Sequence, residues 1–129
     1  FQNLSDRKRV EKIICNVTTL DDFVQEQKTK VDFIKCDVEG AELLVYKGGM
    51  KTIKKFKPVV LTEMLRKWSA KFKYHPNDII KLLGEIEYQC FTVKKGRLKS
   101  FEEITQDTIE TNFFFLHKVK HANMMKTLI

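Results

Sequence analysis

The chain has 129 residues, of which 43% are hydrophobic and 32% charged, and its formal net charge is +7. That length holds one domain, and the composition is that of a globular protein, not a fibrous or disordered one. No apolar run approaches the ~20 residues that span a bilayer, and Phe1-Gln-Asn-Leu-Ser-Asp-Arg7 lacks the apolar centre of a signal peptide.

Residues 1–9 are polar and irregular, and the absence of an initiator methionine predicts a true amino terminus upstream of Phe1. Residues 10–17 alternate loosely and predict a short strand. Thr18-Thr-Leu-Asp-Asp22 predicts a helix start, with Thr19 as cap and Asp21 and Asp22 favoured by the helix dipole. Leu20, Phe23 and Val24 give that helix its apolar stripe, and it ends near Lys28. The short apolar run over 31–37 predicts a strand buried on both faces, of the kind found inside parallel sheets.

Residues 41–56 predict a helix broken at Gly48-Gly49, with Leu43, Leu44, Tyr46, Met50, Ile53 and Phe56 on its buried face. Pro58 stops it, and 59–64 form a second buried strand ending beside Glu63. Residues 66–74 read as a loop or short helix rich in lysine and aromatics. His75-Pro-Asn-Asp78 then opens a helix with Ile79, Ile80, Leu82, Leu83 and Ile86 facing the core. A strand over 88–93, a turn at Lys95-Gly96, an extended piece over 98–101, a brief helix over 102–104 and a last strong strand over 112–119 follow. Residues 121–129 predict a frayed helix. Strands alternating with helices make this an α/β layered sheet.

Cys15, Cys36 and Cys90 are odd in number, widely spaced and set among apolar residues, without the spacing of metal ligands. They predict buried, reduced thiols and a cytoplasmic protein. The lysines are dispersed: Lys51, Lys54, Lys55 and Lys57 line a helix, while Lys94, Lys95, Arg97 and Lys99 surround a turn. Solvated faces explain them better than a nucleic-acid groove, and no aromatic-basic stripe marks the strands.

The most informative stretch is Val31-Asp-Phe-Ile-Lys-Cys-Asp-Val-Glu-Gly-Ala-Glu42. A strand, an acidic turn with a glycine, then a helix is how open α/β sheets present side chains where ligands bind. Asp37 and Glu39 stand at that point, suited to bind a cofactor amine or substrate hydroxyl or to act as general base; capping of the next helix is the alternative. Glu63 ends the neighbouring strand and faces the same crevice. Glu42 lies in a helix's first turn, where dipole stabilisation competes with a substrate contact. Lys35 predicts a partner in Asp37 or Glu63, with substrate contact second. Trp68, with Arg66, Lys67, Phe72 and Tyr74, suits a substrate lid or a packed surface loop. Asn112 faces the same side by topology. His75, His117 and His121 read as structural, and no metal site is evident.

Asp32-Phe-Ile-Lys-Cys-Asp-Val-Glu-Gly-Ala-Glu42, with Thr18-Thr-Leu-Asp-Asp-Phe23 before it and Tyr46-Lys-Gly48 and Lys57-Pro-Val-Val-Leu-Thr-Glu63 after it, resembles the FkbM family of S-adenosylmethionine-dependent methyltransferases. The resemblance runs over about 10–117, leaving 118–129 as a tail. It implies a Rossmann-like class I methyltransferase sheet with helices on both faces. It also implies S-adenosylmethionine as cofactor, held in part by Asp37, and O-methylation of a hydroxyl on a sugar or other small molecule. Asp37, Glu39 and Glu63 become the catalytic candidates, and Lys35, Glu42 and Trp68 the substrate-binding ones. The glycine-rich cofactor loop and the acidic residue after the second strand, which the family carries, do not occur in this sequence. The chain therefore reads as a single partial domain over 1–129 with its N-terminal strands missing, inactive alone. The 31–37 strand is then left with one bare edge through which the chain self-associates. An interaction domain derived from a methyltransferase half-fold is the competing reading.

Overall fold

The computed structural model describes residues 11–129. The expectations for 1–9 and for Val10 lie outside the described residues. Among the described residues the fold is mixed α/β, with five strands in one sheet ordered β1-β2-β5-β3-β4: β1 Phe33–Cys36, β2 Val59–Glu63, β3 Tyr88–Lys94, β4 Arg97–Ser100 and β5 Asn112–His117. The helices are α1 Leu20–Gln27, α2 Glu42–Lys47, α3 Met50–Phe56, α4 Arg66–Ser69, α5 Asn77–Gly84 and α6 Ala122–Leu128, with a 3-10 turn at Ala70–Phe72.

Only β1 and β2 run parallel, joined by the α2–α3 crossover that parallel strands require. The pairs β2–β5, β3–β5 and β3–β4 are antiparallel. One sheet face carries the main core, where Val60, Tyr88, Cys90, Phe113 and Phe115 meet Tyr46 of α2, Ile53 of α3 and Ile79 and Leu83 of α5. On the other face Phe91, Leu98 and Leu116 pack with Val59, Phe114 and Met125 of α6. Helices thus lie on both faces, but α6 covers the second only in part.

Local signals explain several boundaries. The Thr19 hydroxyl accepts the Asp22 N–H at 3.1 Å and caps α1. Asp21 reaches past its own helix: its carboxylate accepts the backbone N–H groups of Lys51 and Thr52 at 3.1 and 2.8 Å, capping α3 across 30 residues of sequence. The Gly48-Gly49 break is observed, and Gly49 lies against Leu20, whose Cδ2 would sit 2.7 Å from an added Cβ.

Five expectations fail. Residues 11–17 form no strand; Ile13, Ile14 and Val17 are exposed there, because no neighbouring strand among the described residues completes a ladder. The β1 strand is not buried on both faces, since it is the edge of the sheet: Phe33 is 53% exposed and Lys35 is exposed, while Cys36 is buried. Residues 102–104 are not helical, because the Ile104 backbone is clamped by Asn77, which accepts its N–H at 2.8 Å and donates to its carbonyl at 3.2 Å. Cys15 is exposed, in contrast to the buried Cys36 and Cys90. Phe23 and Leu44 also face solvent, in contrast to their expected places on the buried faces of their helices.

Candidate functional site

The parallel register aligns Cys36 with Thr62, so the next residues on each strand, Asp37 and Glu63, stand side by side at the carboxyl ends of β1 and β2. Glu63 is paired in turn with Asn112 of β5. Asp37, Glu63 and Asn112 therefore form one row across three strands.

The two carboxyl groups have opposite tendencies. Asp37 is exposed, and the Lys35 ammonium hydrogen-bonded to its Oδ2 at 3.0 Å holds its pKa below 3.8. Glu63 is pushed above 4.5, first by burial and then by the negative charge of Asp37, with Glu39 and Glu42 adding to it. Like charges at adjoining positions oppose each other's ionisation, so Glu63 holds a proton more readily than a free carboxyl group while Asp37 gives its proton up more readily. A pair of carboxyl groups driven apart in this way is the usual basis for dividing acid and base roles.

The turn between β1 and α2 is built to hold this geometry. Glu39 adopts a left-handed φ of 53° and Gly40 a φ of 104°. An added Cβ at Gly40 would lie 2.5 Å from the Trp68 carbonyl oxygen, so glycine is required both for the backbone angle and for the close approach of α4. Beneath the turn, Glu42 is buried and its Oε1 accepts the N–H groups of Val38 and Gly40 at 3.2 and 3.1 Å. The Tyr74 hydroxyl shares its proton between the Gly40 carbonyl at 2.9 Å and Glu42 Oε2 at 3.1 Å. Burial drives the Tyr74 pKa far up, so it stays a neutral donor.

The structure thus brings together Asp37, Glu39, Glu63 and Lys35, with Lys35 solvent-exposed and paired to Asp37. Glu42 turns its carboxylate into the protein, against the turn. Trp68 is half-buried on α4, flanked by the ammonium groups of Lys67 and Lys71 at 5.4 and 4.4 Å from its ring, and it meets the turn through its backbone. Tyr74 was legible only as part of an aromatic loop, since its partners lie 32 and 34 residues away. Next to the site, burial pushes the Cys36 thiol up to about 11, which leaves it unreactive. A cleft of about 590 Å³ between α1 and α3 contains none of these carboxylates. Among the described residues no group of three or more His, Cys, Asp or Glu side chains is placed to hold a metal ion. No helix among them is long and apolar enough to cross a membrane.

His117 and His121 occupy structural positions. His117 Nδ1 accepts the N–H groups of Val119 and Lys120, and His121 Nδ1 accepts that of His117 at 2.9 Å, which together shape the turn between β5 and α6.

The model of a family described as the methyltransferase FkbM domain matches residues 1–91, a span that includes β1, β2, the acidic turn and Glu63 and stops short of Asn112. Neither the curated proteins nor the solved structures provide a match to the chain.

Proposed function

The chain belongs to the FkbM methyltransferase domain family, and from that premise we propose that it serves S-adenosylmethionine-dependent O-methylation, with a sugar or other hydroxyl-bearing small molecule as acceptor. The five strands are then part of a Rossmann-like class I methyltransferase sheet, and the row at the ends of β1 and β2 is the floor of its site. The observation that carries this reading is the pair Asp37 and Glu63, adjacent at the ends of parallel strands and with pKa values shifted in opposite directions.

The residues present fit one pole of the cofactor. S-adenosylmethionine carries a cationic sulfonium and an ammonium group, and the carboxylates of Asp37, Glu39 and Glu63 provide the negative field such charges need. When bound, the cofactor supplies an electrophilic methyl group. Asp37, ionised over the whole neutral range, holds the cationic pole and orients it. Glu63 is the general base: with its pKa raised, its carboxylate takes the proton that leaves the acceptor hydroxyl as the oxygen is methylated. Glu39 adds negative potential from the left-handed turn, Lys35 fixes the orientation of Asp37, and Glu42 supports the turn from beneath. Trp68, half exposed beside the turn, offers a ring face against which a sugar packs.

The test is a titration followed by NMR on isotope-labelled chain, which detects weak binding as well as strong. S-adenosylmethionine is expected to shift the amide signals of residues 36–40 and 63, and to bind more tightly than S-adenosylhomocysteine, which lacks the sulfonium charge. Asp37→Asn is expected to weaken that binding several-fold. Equal binding by Asp37→Asn, or shifts confined to surfaces away from the strand ends, would overturn the assignment.

A further inference from the structure

The segment that follows β2 is charged with one sign only. From Met64 to Asn77 the chain has no acidic residue, and within eight of those residues it places Arg66, Lys67, Lys71 and Lys73. A run of this kind is ordinarily a solvated face. Here it stands against the acidic row. Glu63 ends β2 and Arg66 begins α4, so roughly 10 Å of chain at most separates the two. The segment then presses on the turn between β1 and α2: a Cβ added at Gly40 would lie 2.5 Å from the Trp68 carbonyl oxygen and 3.1 Å from a carbon of the Phe72 ring.

The two sets of charge do not neutralise each other. The Asp37 carboxylate is taken by Lys35 at 3.0 Å, and that of Glu42 by the backbone of the turn. Glu63 is shifted up by burial and by Asp37, Glu39 and Glu42, whereas a cation at contact distance would shift it down. Among the described residues Arg66, Lys67 and Lys73 form no ion pair. Neutral groups position the cations instead. Arg66 donates from Nη2 to the Gln106 carbonyl at 3.0 Å, which fixes the guanidinium and leaves further N–H donors on it. The ammonium groups of Lys67 and Lys71 lie 5.4 and 4.4 Å from the centre of the Trp68 ring. Two like charges gathered at one ring make a focus of positive potential.

We propose that the acceptor is an acidic sugar, with a hydroxyl at Glu63 and a phosphate or carboxylate group held by Arg66, Lys67 and Lys71. The inference rests on the reading of Glu63 as the methylation base and names the class of acceptor that this base serves. The anionic group binds and orients only; the proton transfer remains between the hydroxyl and Glu63. Asp37, Glu39 and Glu63 repel an anion, and the basic segment attracts it, so the two together fix which end of the sugar faces the base.

The experiment is an NMR titration of isotope-labelled chain with glucose 6-phosphate, glucuronate, glucose and inorganic phosphate. We expect the acidic sugars to shift the amides of residues 66–73 and 63 and to bind about tenfold more tightly than glucose, less so as salt is added. The tighter of the two identifies the anionic group as phosphate or carboxylate. Lys67→Gln combined with Lys71→Gln should weaken that binding about fivefold, whereas Lys54→Gln with Lys55→Gln, which removes the same charge from α3, should leave it unchanged. Glucose that binds as tightly as the acidic sugars, or no shift at 66–73 with either of them, overturns the proposal. Equal loss in the two double variants overturns it as well, since net charge then explains the binding. So does inorganic phosphate that binds as tightly as glucose 6-phosphate, since the sugar then makes no contact. The cofactor titration separates this inference from the reading beneath it. Shifts by S-adenosylmethionine at 36–40 and 63 without any by the acidic sugars at 66–73 remove only the acceptor class; the reverse pattern removes the methyl transfer and leaves an acidic-sugar site.

Discussion

Replacing Glu42 by alanine tests whether the acidic turn is held from below. The Glu42 side chain is buried, and its Oε1 accepts two backbone N–H groups, from Val38 and Gly40, while Oε2 meets the Tyr74 hydroxyl. The three contacts are not equal in consequence. Val38 is 39% exposed, so its N–H recovers water when the carboxylate is removed, and Tyr74 keeps the Gly40 carbonyl as acceptor. Gly40 is buried beneath α4, so its N–H is left without a partner at a cost of about 1–3 kcal/mol. Loss of the charge-assisted bonds and of side-chain packing brings the total to about 2–4 kcal/mol, a large part of the ~5–15 kcal/mol that stabilises a domain of this kind. Glu42→Gln keeps an oxygen for the two N–H groups and presents an amide donor to the Tyr74 oxygen, so its cost should be about 1 kcal/mol. Urea unfolding followed by circular dichroism reads both values; with a slope of about 2 kcal/mol per molar, Glu42→Ala should lower the midpoint by about 1–2 M. A Glu42→Ala midpoint within experimental error of wild type would refute the role of this carboxylate in holding the turn.

Gly40→Ala and Gly96→Ala separate steric from conformational cost. Gly40 combines a φ of 104° with a backbone oxygen 2.5 Å from the added Cβ, whereas Gly96 has a φ of 74° and open space around it. Thermal unfolding should show a loss of about 1 kcal/mol for Gly96→Ala and clearly more for Gly40→Ala; equal losses would contradict the close approach of α4. The Tyr46 hydroxyl is buried beside Thr62 and Cys36 without a well-aligned hydrogen bond to either, so Tyr46→Phe should change stability by no more than about 0.5 kcal/mol in the destabilising direction, measured by denaturant unfolding. His117 and His121 both have pKa values lowered below 6.5, first by burial and then by nearby positive charge. A base with a depressed folded pKa takes up its proton later than the unfolded chain does, so stability is full above pH 6.5 and falls as the pH drops below it. The urea midpoint should therefore be lower at pH 5.5 than at pH 7.5, and a flat or opposite trend would sink the idea.

Most of the candidate site's geometry could be read in the sequence because its determinants are local. Asp37, Glu39 and Gly40 stand between a strand and a helix within a few residues, and Glu63 repeats the placement after the next strand, so register alone brings Asp37 and Glu63 together. Lys35 was read as the partner of an acid, and Asp37 two residues away is that partner. What could not be read is whatever depends on distant contacts. Glu42 gives the same pattern whether it faces substrate or turns inward, and the choice is made by Tyr74, 32 residues on. The 102–104 segment has helical composition, but Asn77 takes its backbone bonds. Residues 10–17 read as a strand from loose alternation and 31–37 from a short apolar run, yet a strand exists only with a neighbour: β1 has one in β2, and 11–17 has none among the described residues. Burial of β1 failed for the same reason, since an apolar run does not say whether it lies at the centre or the margin of a sheet.

On the proposed function, Asp37 and Glu63 form a poised pair that receives the cationic pole of S-adenosylmethionine. The most direct measurement is the carboxyl-carbon NMR titration of Glu63, with and without that cofactor. Alone, Glu63 should titrate above 4.5 while Asp37 titrates below 3.8. With the cofactor present, a nearby positive charge should favour the ionised form and bring the Glu63 value down toward 4.5. A Glu63 that titrates at its ordinary value, or one that the cofactor leaves unmoved, would contradict the claim.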